Sequence, residues 1–226
     1  MSKIRKIVRD FTPPICLRFA KLLIRGNSNA VQGKEQPAEY YDQTFSDKEH
    51  WKSHYTESHY FPLWTVVADR MRGRGNSRIL DIGCGPGQVA CMIKDTPGID
   101  SYVGVDFSSK RIAQARLVCP EYDFFEVDVF NTDMLETLTY DTVLIMEFLE
   151  HIEQDLKVLE RLKQGSYVLA TVPNFPSAGH VRFFETVQDV ESRYRKHLGN
   201  IRVDEIIADN KGMKYFIVEG FVQRSA

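Results

Sequence analysis

The residues best placed to do chemistry lie in Ile79-Leu80-Asp81-Ile82-Gly83-Cys84-Gly85-Pro86-Gly87-Gln88, a D-x-G-x-G-x-G run closing an apolar stretch. Glycine, without Cβ, lets a chain turn sharply and lets a ligand approach its backbone. The spacing separates ligand classes. A dinucleotide fingerprint is GxGxxG, and counting from Gly83 its third position falls on Gln88, which is not small. A Walker loop needs Gly-Lys-Ser/Thr, which is missing here. Asp81, one residue removed from the first glycine, does nothing for a pyrophosphate but suits a cationic ligand with an amino group. Asp106, in Val103-Gly104-Val105-Asp106, stands 19 residues beyond Gly87, the separation at which an acid accepts both ribose hydroxyls. Asp128, in Glu126-Val127-Asp128-Val129, is placed to accept from an exocyclic adenine amine. Each acid alone reads as a turn former or cap. Three of them at successive strand ends, with the glycine loop at the first, describe a nucleoside site.

A second constellation is Met146-Glu147-Phe148-Leu149-Glu150-His151-Ile152. On a helical turn Glu147, Glu150 and His151 stand at i, i+3 and i+4, on one face. Two carboxylates and an imidazole there suit a divalent cation, or a general base at His151 oriented by a carboxylate. The alternative is a helix start with its usual acidic first turn. VPNFPSAGHVRFF (172–184) is a long irregular stretch, and Asn174, His180 and Arg182 in it are candidates to meet a polar substrate. His50 and His54 are spaced for one helix face but lack a third ligand nearby.

Elements must position these groups. Short apolar runs at 78–80, 102–105, 123–127, 141–146 and 166–172 predict strands, with helices over 88–94, 109–118 and 150–162 between them. Strands spaced by helices imply right-handed crossovers and a parallel sheet covered on both faces, an α/β fold. Runs at 201–209 and 213–222 flank Asn210-Lys211-Gly212 and predict a closing antiparallel hairpin. Upstream, residues 40–64 hold both tryptophans, Trp51 and Trp64, with Tyr40, Tyr41, Tyr55, Tyr60, His50, His54 and His59. Such a density of rings belongs to core packing or to a cap over a ligand, and Trp51 and Tyr55, four apart, are expected on one helix face. Residues 1–26 carry seven cations against Asp10 alone, a local +6, interleaved with apolar residues at helical spacing and broken at Pro13-Pro14. That reads as an amphipathic anchor on an anionic membrane face, or as a helix docked on the core or on a partner. The expected organisation is an extension and linker over 1–33, an aromatic helical lid over 34–76 and the glycine-loop domain over 77–226.

With these motifs on the page, the sequence resembles the class I S-adenosylmethionine-dependent methyltransferases over about Arg78 to Val222. The glycine loop matches that family's first motif, and GVDFSSKRIAQAR (104–116) is similar to the segment after its second strand. The resemblance implies a Rossmann-like, doubly wound, mostly parallel seven-stranded sheet with a C-terminal antiparallel hairpin and an N-terminal helical lid. It implies S-adenosyl-L-methionine as cofactor. Asp81 and the backbone of Gly83, Cys84, Gly85 and Gly87 would hold the methionine part, and Asp106 the ribose hydroxyls. Phe107 would flank the adenine, Asp128 with the Val129 amide would read its edge, and Met146 would sit beside the sulfur. Tyr40, Tyr41 and Trp51 would either face the sulfonium or pack the lid. The E-x-x-E-H run resembles ubiquinone-pathway O-methyltransferases, and also the metal-dependent small-RNA 3′-terminal 2′-O-methyltransferases, whose further histidine would here be His180.

Composition narrows the acceptor. The chain has 226 residues with 43% hydrophobic, 12% aromatic and 27% charged, which excludes disorder, collagen and coiled coil. Cys16, Cys84, Cys91 and Cys119 form no CxxC pair, so a reduced, cytoplasmic protein is expected, with residues 1–26 at the inner face of a membrane in the anchor reading. Net charge is −2, and residues 27–226 sum to −8, so a basic groove for nucleic acid is not expected. The sequence therefore reads as an O-methyltransferase of a small-molecule or glycan-type acceptor. Its rivals are a metal-dependent RNA 2′-O-methyltransferase and a non-catalytic cofactor-binding scaffold.

Overall fold

The computed structural model describes residues 33–75, 77–209 and 212–224. The chain divides into two units, Met1–Val31 and Gln32–Ala226. The basic amphipathic segment expected over 1–26 lies outside the described residues, as does the Asn210-Lys211 part of the expected turn.

Seven strands form one sheet: β1 (Ser77–Ile82), β2 (Ile99–Asp106), β3 (Asp123–Glu126), β4 (Thr142–Met146), β5 (Tyr167–Pro173), β6 (Leu198–Ile207) and β7 (Lys214–Val222). Their spatial order is β3-β2-β1-β4-β5-β7-β6. The first five run parallel; β7 enters antiparallel beside β5 and pairs antiparallel with β6. Strands β4 and β5 are buried along their whole length, as continuous apolar runs covered on both faces must be. From β1 the chain winds outward through β2 and β3, then returns to β4 on the other side of β1. That reversal opens a crevice at the carboxyl ends of β1 and β4, the place where open α/β sheets bind ligands.

Among the described residues seven α-helices accompany the sheet: α1 (Ala38–Asp47), α2 (Phe61–Arg74), α3 (Gln88–Lys94), α4 (Ser109–Val118), α5 (Met134–Thr137), α6 (Asp155–Arg161) and α7 (Val187–Tyr194). Helix α2 buries Leu63, Trp64, Val67 and Met71 in the cluster that holds Ile79, Ile93 and Ile217. Helix α1 is fastened to the start of α4 through Asp42, which accepts from the Ser108 hydroxyl at 2.5 Å and the Lys110 amide at 3.2 Å. Asp155, fully buried at the head of α6, accepts Arg193 Nε at 2.8 Å and Nη2 at 2.6 Å, and the Tyr194 hydroxyl at 3.1 Å. That clamp ties α6 to α7 and so fixes the frame of the loop after β5. Among the described residues no helix is long and apolar enough to cross a membrane.

Two local expectations change. The helix expected over 150–162 is a single 3₁₀ turn, Leu149–His151, then extended chain at Ile152, with α6 starting only at Asp155. Trp51 and Tyr55 do not share a helix face. They occupy separate 3₁₀ turns, Glu49–Trp51 and Tyr55–Glu57, and Tyr55 turns away to donate to Asp95 at 2.9 Å.

Candidate active site

The crevice over β1 and β4 is a cavity of about 460 Å³, within the usual range for small-molecule sites. At its floor the chain leaves β1 through Gly83, Gly85 and Gly87, all with positive φ (76°, 56° and 87°). Asp106, buried at the end of β2, shapes this loop. One carboxylate oxygen accepts the Gly85 amide at 3.0 Å and the other the Ser108 amide at 2.9 Å. The three loop glycines differ in what surrounds them. A Cβ on Gly83 would strike the Phe148 ring, and one on Gly87 would come 2.9 Å from the Ala115 Cα. A Cβ on Gly85 would meet nothing within 4 Å, because that face of the loop opens on the cavity.

Asp81 lies beneath the loop, 1% exposed. One of its oxygens accepts from the Tyr102 hydroxyl and the other has no partner. Burial, helped by the negative charge of Asp106 and opposed by the Tyr102 bond, pushes its carboxyl up to about 7. A buried carboxylate oxygen without a donor is costly unless a ligand supplies one. Cys84, Phe107, Asp128, Val129 and Met146 also line the cavity, Met146 at the end of β4. Asp128 sits past the end of β3, with its carboxylate accepting the Phe130 amide at 2.9 Å and the Asn131 side-chain amide at 2.7 Å.

Glu147 follows β4 in a left-handed conformation, φ 50°, held by its amide donating to Thr171 Oγ1 at 2.9 Å. This turn brings Glu147 against Glu150 although the two are not on a helix face. Outside that pair, neither Glu150 oxygen has a hydrogen-bond partner among the described residues. Burial pushes the Glu147 carboxyl up to about 8 against the pull of its Thr171 and Glu150 hydrogen bonds, and burial, then the Glu147 charge, raises that of Glu150 well above the usual range. His151 Nδ1 donates to the Gly179 carbonyl at 2.9 Å, which fixes the tautomer and leaves Nε2 as an acceptor, 3.8 Å from Glu150 Oε1. A Cβ on Gly179 would lie 3.1 Å from that Nδ1, so the contact uses the bareness of the glycine. Burial first, then His180, holds the His151 imidazolium down to about 4, so the ring is neutral. His180, buried, packs edge-on to His151 with centroids 4.9 Å apart and donates its Nδ1 to the Phe175 carbonyl at 3.0 Å. One ligand atom each from Glu150, His151 and His180 lies within 4.8 Å of the others.

The other two residues expected to meet substrate are elsewhere. Asn174 joins β5 to the β6–β7 connection, accepting the Lys214 amide at 2.7 Å and donating to the Gly212 carbonyl at 3.0 Å. Arg182 donates to the carbonyls of Leu149, Ile152 (2.6 Å) and Glu153 (3.0 Å), and pairs with Asp155 at 3.4 Å. Its guanidinium thus holds the 3₁₀ turn that carries His151, and neither residue lines the cavity. The histidine pair 50/54 also separates: His50 lines the cavity, whereas His54 bonds Thr56 on the outside.

One residue was not singled out by its sequence position. Arg111, in the first turn of α4, lines the cavity with its guanidinium 4.9 Å from the Tyr41 ring centre and 5.0 Å from that of Trp51. The aromatic faces expected to meet a ligand cation therefore already hold one of the chain's own. Its Nε is buried without a partner. The signal was a cation five residues after Asp106 within GVDFSSKRIAQAR, on the helix turn that faces the glycine loop.

A methyltransferase-domain family model matches residues 80–165. Trans-aconitate 2-methyltransferase of Enterobacter sp. (strain 638) is 28% identical over 130 residues, 55% of this chain and 52% of the relative. The chain spans about half the length of the curated relatives it matches first. Among solved structures, the Burkholderia thailandensis 1,6-didemethyltoxoflavin-N1-methyltransferase superposes with TM-score 0.63 at 15% identity, covering 86% of this chain and 94% of that one. Magnesium protoporphyrin IX methyltransferase of Synechocystis PCC 6803, with bound SAM, gives 0.62 at 14% identity, covering 82% and 95%. At such identities these structures establish a shared fold.

Proposed function

We propose that this chain, whose domain belongs to the class I S-adenosylmethionine-dependent methyltransferases, transfers the methyl group of that sulfonium nucleoside to an oxygen of a small-molecule or glycan-type acceptor. Bound S-adenosylmethionine supplies a methyl group already activated by the sulfonium. The chain's residues fit it on two counts: the partnerless Asp81 oxygen answers an amino group, and the open face at Gly85 admits a ligand against the backbone. In this reading Asp106 takes the ribose hydroxyls, Phe107 flanks the base, and Asp128 with Val129 borders its edge. Alignment of acceptor and methyl in the closed cavity supplies much of the rate.

The observation that carries the oxygen acceptor is His151 Nε2. It is a neutral, tautomer-fixed lone pair in the cavity that also holds Met146, suited to take a hydroxyl proton as the new C–O bond forms. A second reading has its own observation. The orphaned oxygens of Glu150, with His151 and His180, form a donor set that suits a divalent cation, which would supply Lewis acidity to an acceptor oxygen. Relatives named for trans-aconitate and a structure with bound 1,6-didemethyltoxoflavin act on or hold small molecules, in keeping with a small acceptor. Transfer of tritium from methyl-labelled cofactor into the small-molecule fraction of a cell extract tests the proposal, and no incorporation into any fraction defeats it.

The Asp81 assignment carries a pH signature. With its carboxyl near 7, Asp81 must lose a proton to face an ammonium group. Affinity for S-adenosylhomocysteine is therefore expected to strengthen by about tenfold per pH unit from pH 5 to 7 and then level off. Asp81→Asn should flatten that rise. Calorimetry from pH 5 to 8.5 measures it, and a flat wild-type curve would move the amino group to another partner.

A further inference from the structure

One wall of the cavity is built from the segment between α1 and α2 and the first turn of α2, and it presents N–H donors that no group of the chain answers. Lys48, His50, Trp51, His59 and Trp64 all line the cavity. They are contiguous: His50 packs on Trp51 at 4.6 Å between centroids and on His59 at 6.1 Å. His59 stacks on Tyr60 at 4.0 Å, and Tyr60 on Trp64 at 5.5 Å. The indole N–H groups of Trp51 and Trp64 are buried without partners, and Trp64 is 5% exposed. Lys48 makes no ion pair among the described residues; partial burial, then the Lys48 charge, lowers the His50 imidazolium, and burial, then His50, lowers that of His59.

Of the acids that line the same cavity, Asp81 lies beneath the glycine loop and is assigned to the amino group of the cofactor, and the others are engaged elsewhere. Glu35 accepts the Glu153 amide at 2.8 Å, Asp106 and Asp128 accept amides of their own loops, and Glu147 faces Glu150. Two unanswered indole N–H groups on the same wall as a lysine without an ion pair among the described residues call for an anion. We propose that this wall is an acceptor subsite that binds a carboxylate, distinct from the atom that is methylated. The inference rests on the methyltransferase reading above. One full positive charge plus neutral indole and imidazole donors matches a singly charged carboxylate. A phosphate dianion calls for several free cations or a nest of backbone amides, and the other cation lining the cavity, Arg111, is already packed over the Tyr41 and Trp51 rings. The carboxylate is separate from the reacting atom because the wall belongs to the lid segment, whereas Met146 and His151 stand at the strand ends.

The test incubates the full chain with methyl-tritiated S-adenosylmethionine and a protein-free small-molecule extract, then separates products by anion exchange at pH 8, before and after phosphatase. Labelled product is expected to be retained, and to stay retained after phosphatase. In an extract dilution series, Lys48→Gln should need about tenfold more extract for half-maximal incorporation, Lys48→Arg should match wild type, and both should bind S-adenosylhomocysteine with wild-type affinity. Label in the unretained fraction, retention lost to phosphatase, or a Lys48→Gln series equal to wild type each overturns the carboxylate subsite and leaves methyl transfer standing. Label in no fraction overturns the methyltransferase reading itself, and the subsite with it.

Discussion

Gly85→Val is expected to weaken S-adenosylhomocysteine binding by at least about a hundredfold, equivalent to roughly 2.7 kcal/mol, with the chain still folded. The loop's three positive-φ glycines separate cause from consequence. A side chain at Gly83 or Gly87 would collide with Phe148 or with Ala115, so their replacement damages the protein itself. At Gly85 the added atoms project into empty cavity, where only a ligand is excluded. The backbone strain is a separate cost, on the order of 1–3 kcal/mol for a β-branched residue at φ 56°, and it acts on folding rather than on affinity. Gly85→Ala supplies the control for that strain, with a similar melting shift and a smaller loss of affinity. Calorimetry with S-adenosylhomocysteine, read beside thermal melts of both variants, makes the measurement. Wild-type affinity in the valine variant would mean that the nucleoside does not lie against this face of the loop.

The residues proposed to hold the cofactor could be traced to one crevice from the sequence because their spacing is written in local order. The glycines, Asp81, Asp106 and Asp128 each sit at a strand end, and the parallel order β3-β2-β1-β4 brings those ends together whatever the helices do. The acceptor half depends on loop conformation, which periodicity does not encode. Spacing i, i+3, i+4 for Glu147, Glu150 and His151 fits an α-helix. It equally fits a left-handed residue followed by one 3₁₀ turn, and here Glu147 and the extended Ile152 select the latter. Asn174 and Arg182 were read from polarity alone. In the fold their groups satisfy carbonyls and amides that a long irregular connection leaves without partners, a demand as strong as any ligand's. Arg111 was invisible for the opposite reason. A cation in an ordinary amphipathic helix gives no sign that two rings from the lid, Tyr41 and Trp51, will close around it.

His151→Ala should lower turnover by about a hundred- to a thousandfold while leaving S-adenosylhomocysteine affinity within about twofold, the size expected for removing a positioned general base. The His151 imidazole lines this cavity with a free lone pair, a tautomer fixed by Gly179 and a neutral ring. His180, its tautomer fixed by Phe175 and its imidazolium also lowered by burial, is the other histidine of that kind beside it. Asp106 and Asp128 hold backbone amides of their own loops, and burial raises the carboxyls of Glu147 and Glu150, which face each other. His180 discriminates the base from the metal. Its Nδ1 is committed to the Phe175 carbonyl and its ring only packs edge-on to His151, so as a neighbour of a base it contributes orientation, and His180→Ala should cost less than about tenfold. As a metal ligand it would be worth as much as His151 itself. Wild-type enzyme freed of divalent ions with a chelator is accordingly expected to keep its rate, and the double variant to be little worse than His151→Ala alone. Equal losses in the two single variants, with activity abolished by chelation and restored by a divalent ion, would transfer the role of activating the acceptor oxygen from the His151 lone pair to a cation held by Glu150, His151 and His180. A His151→Ala variant that turns over at the wild-type rate would remove both.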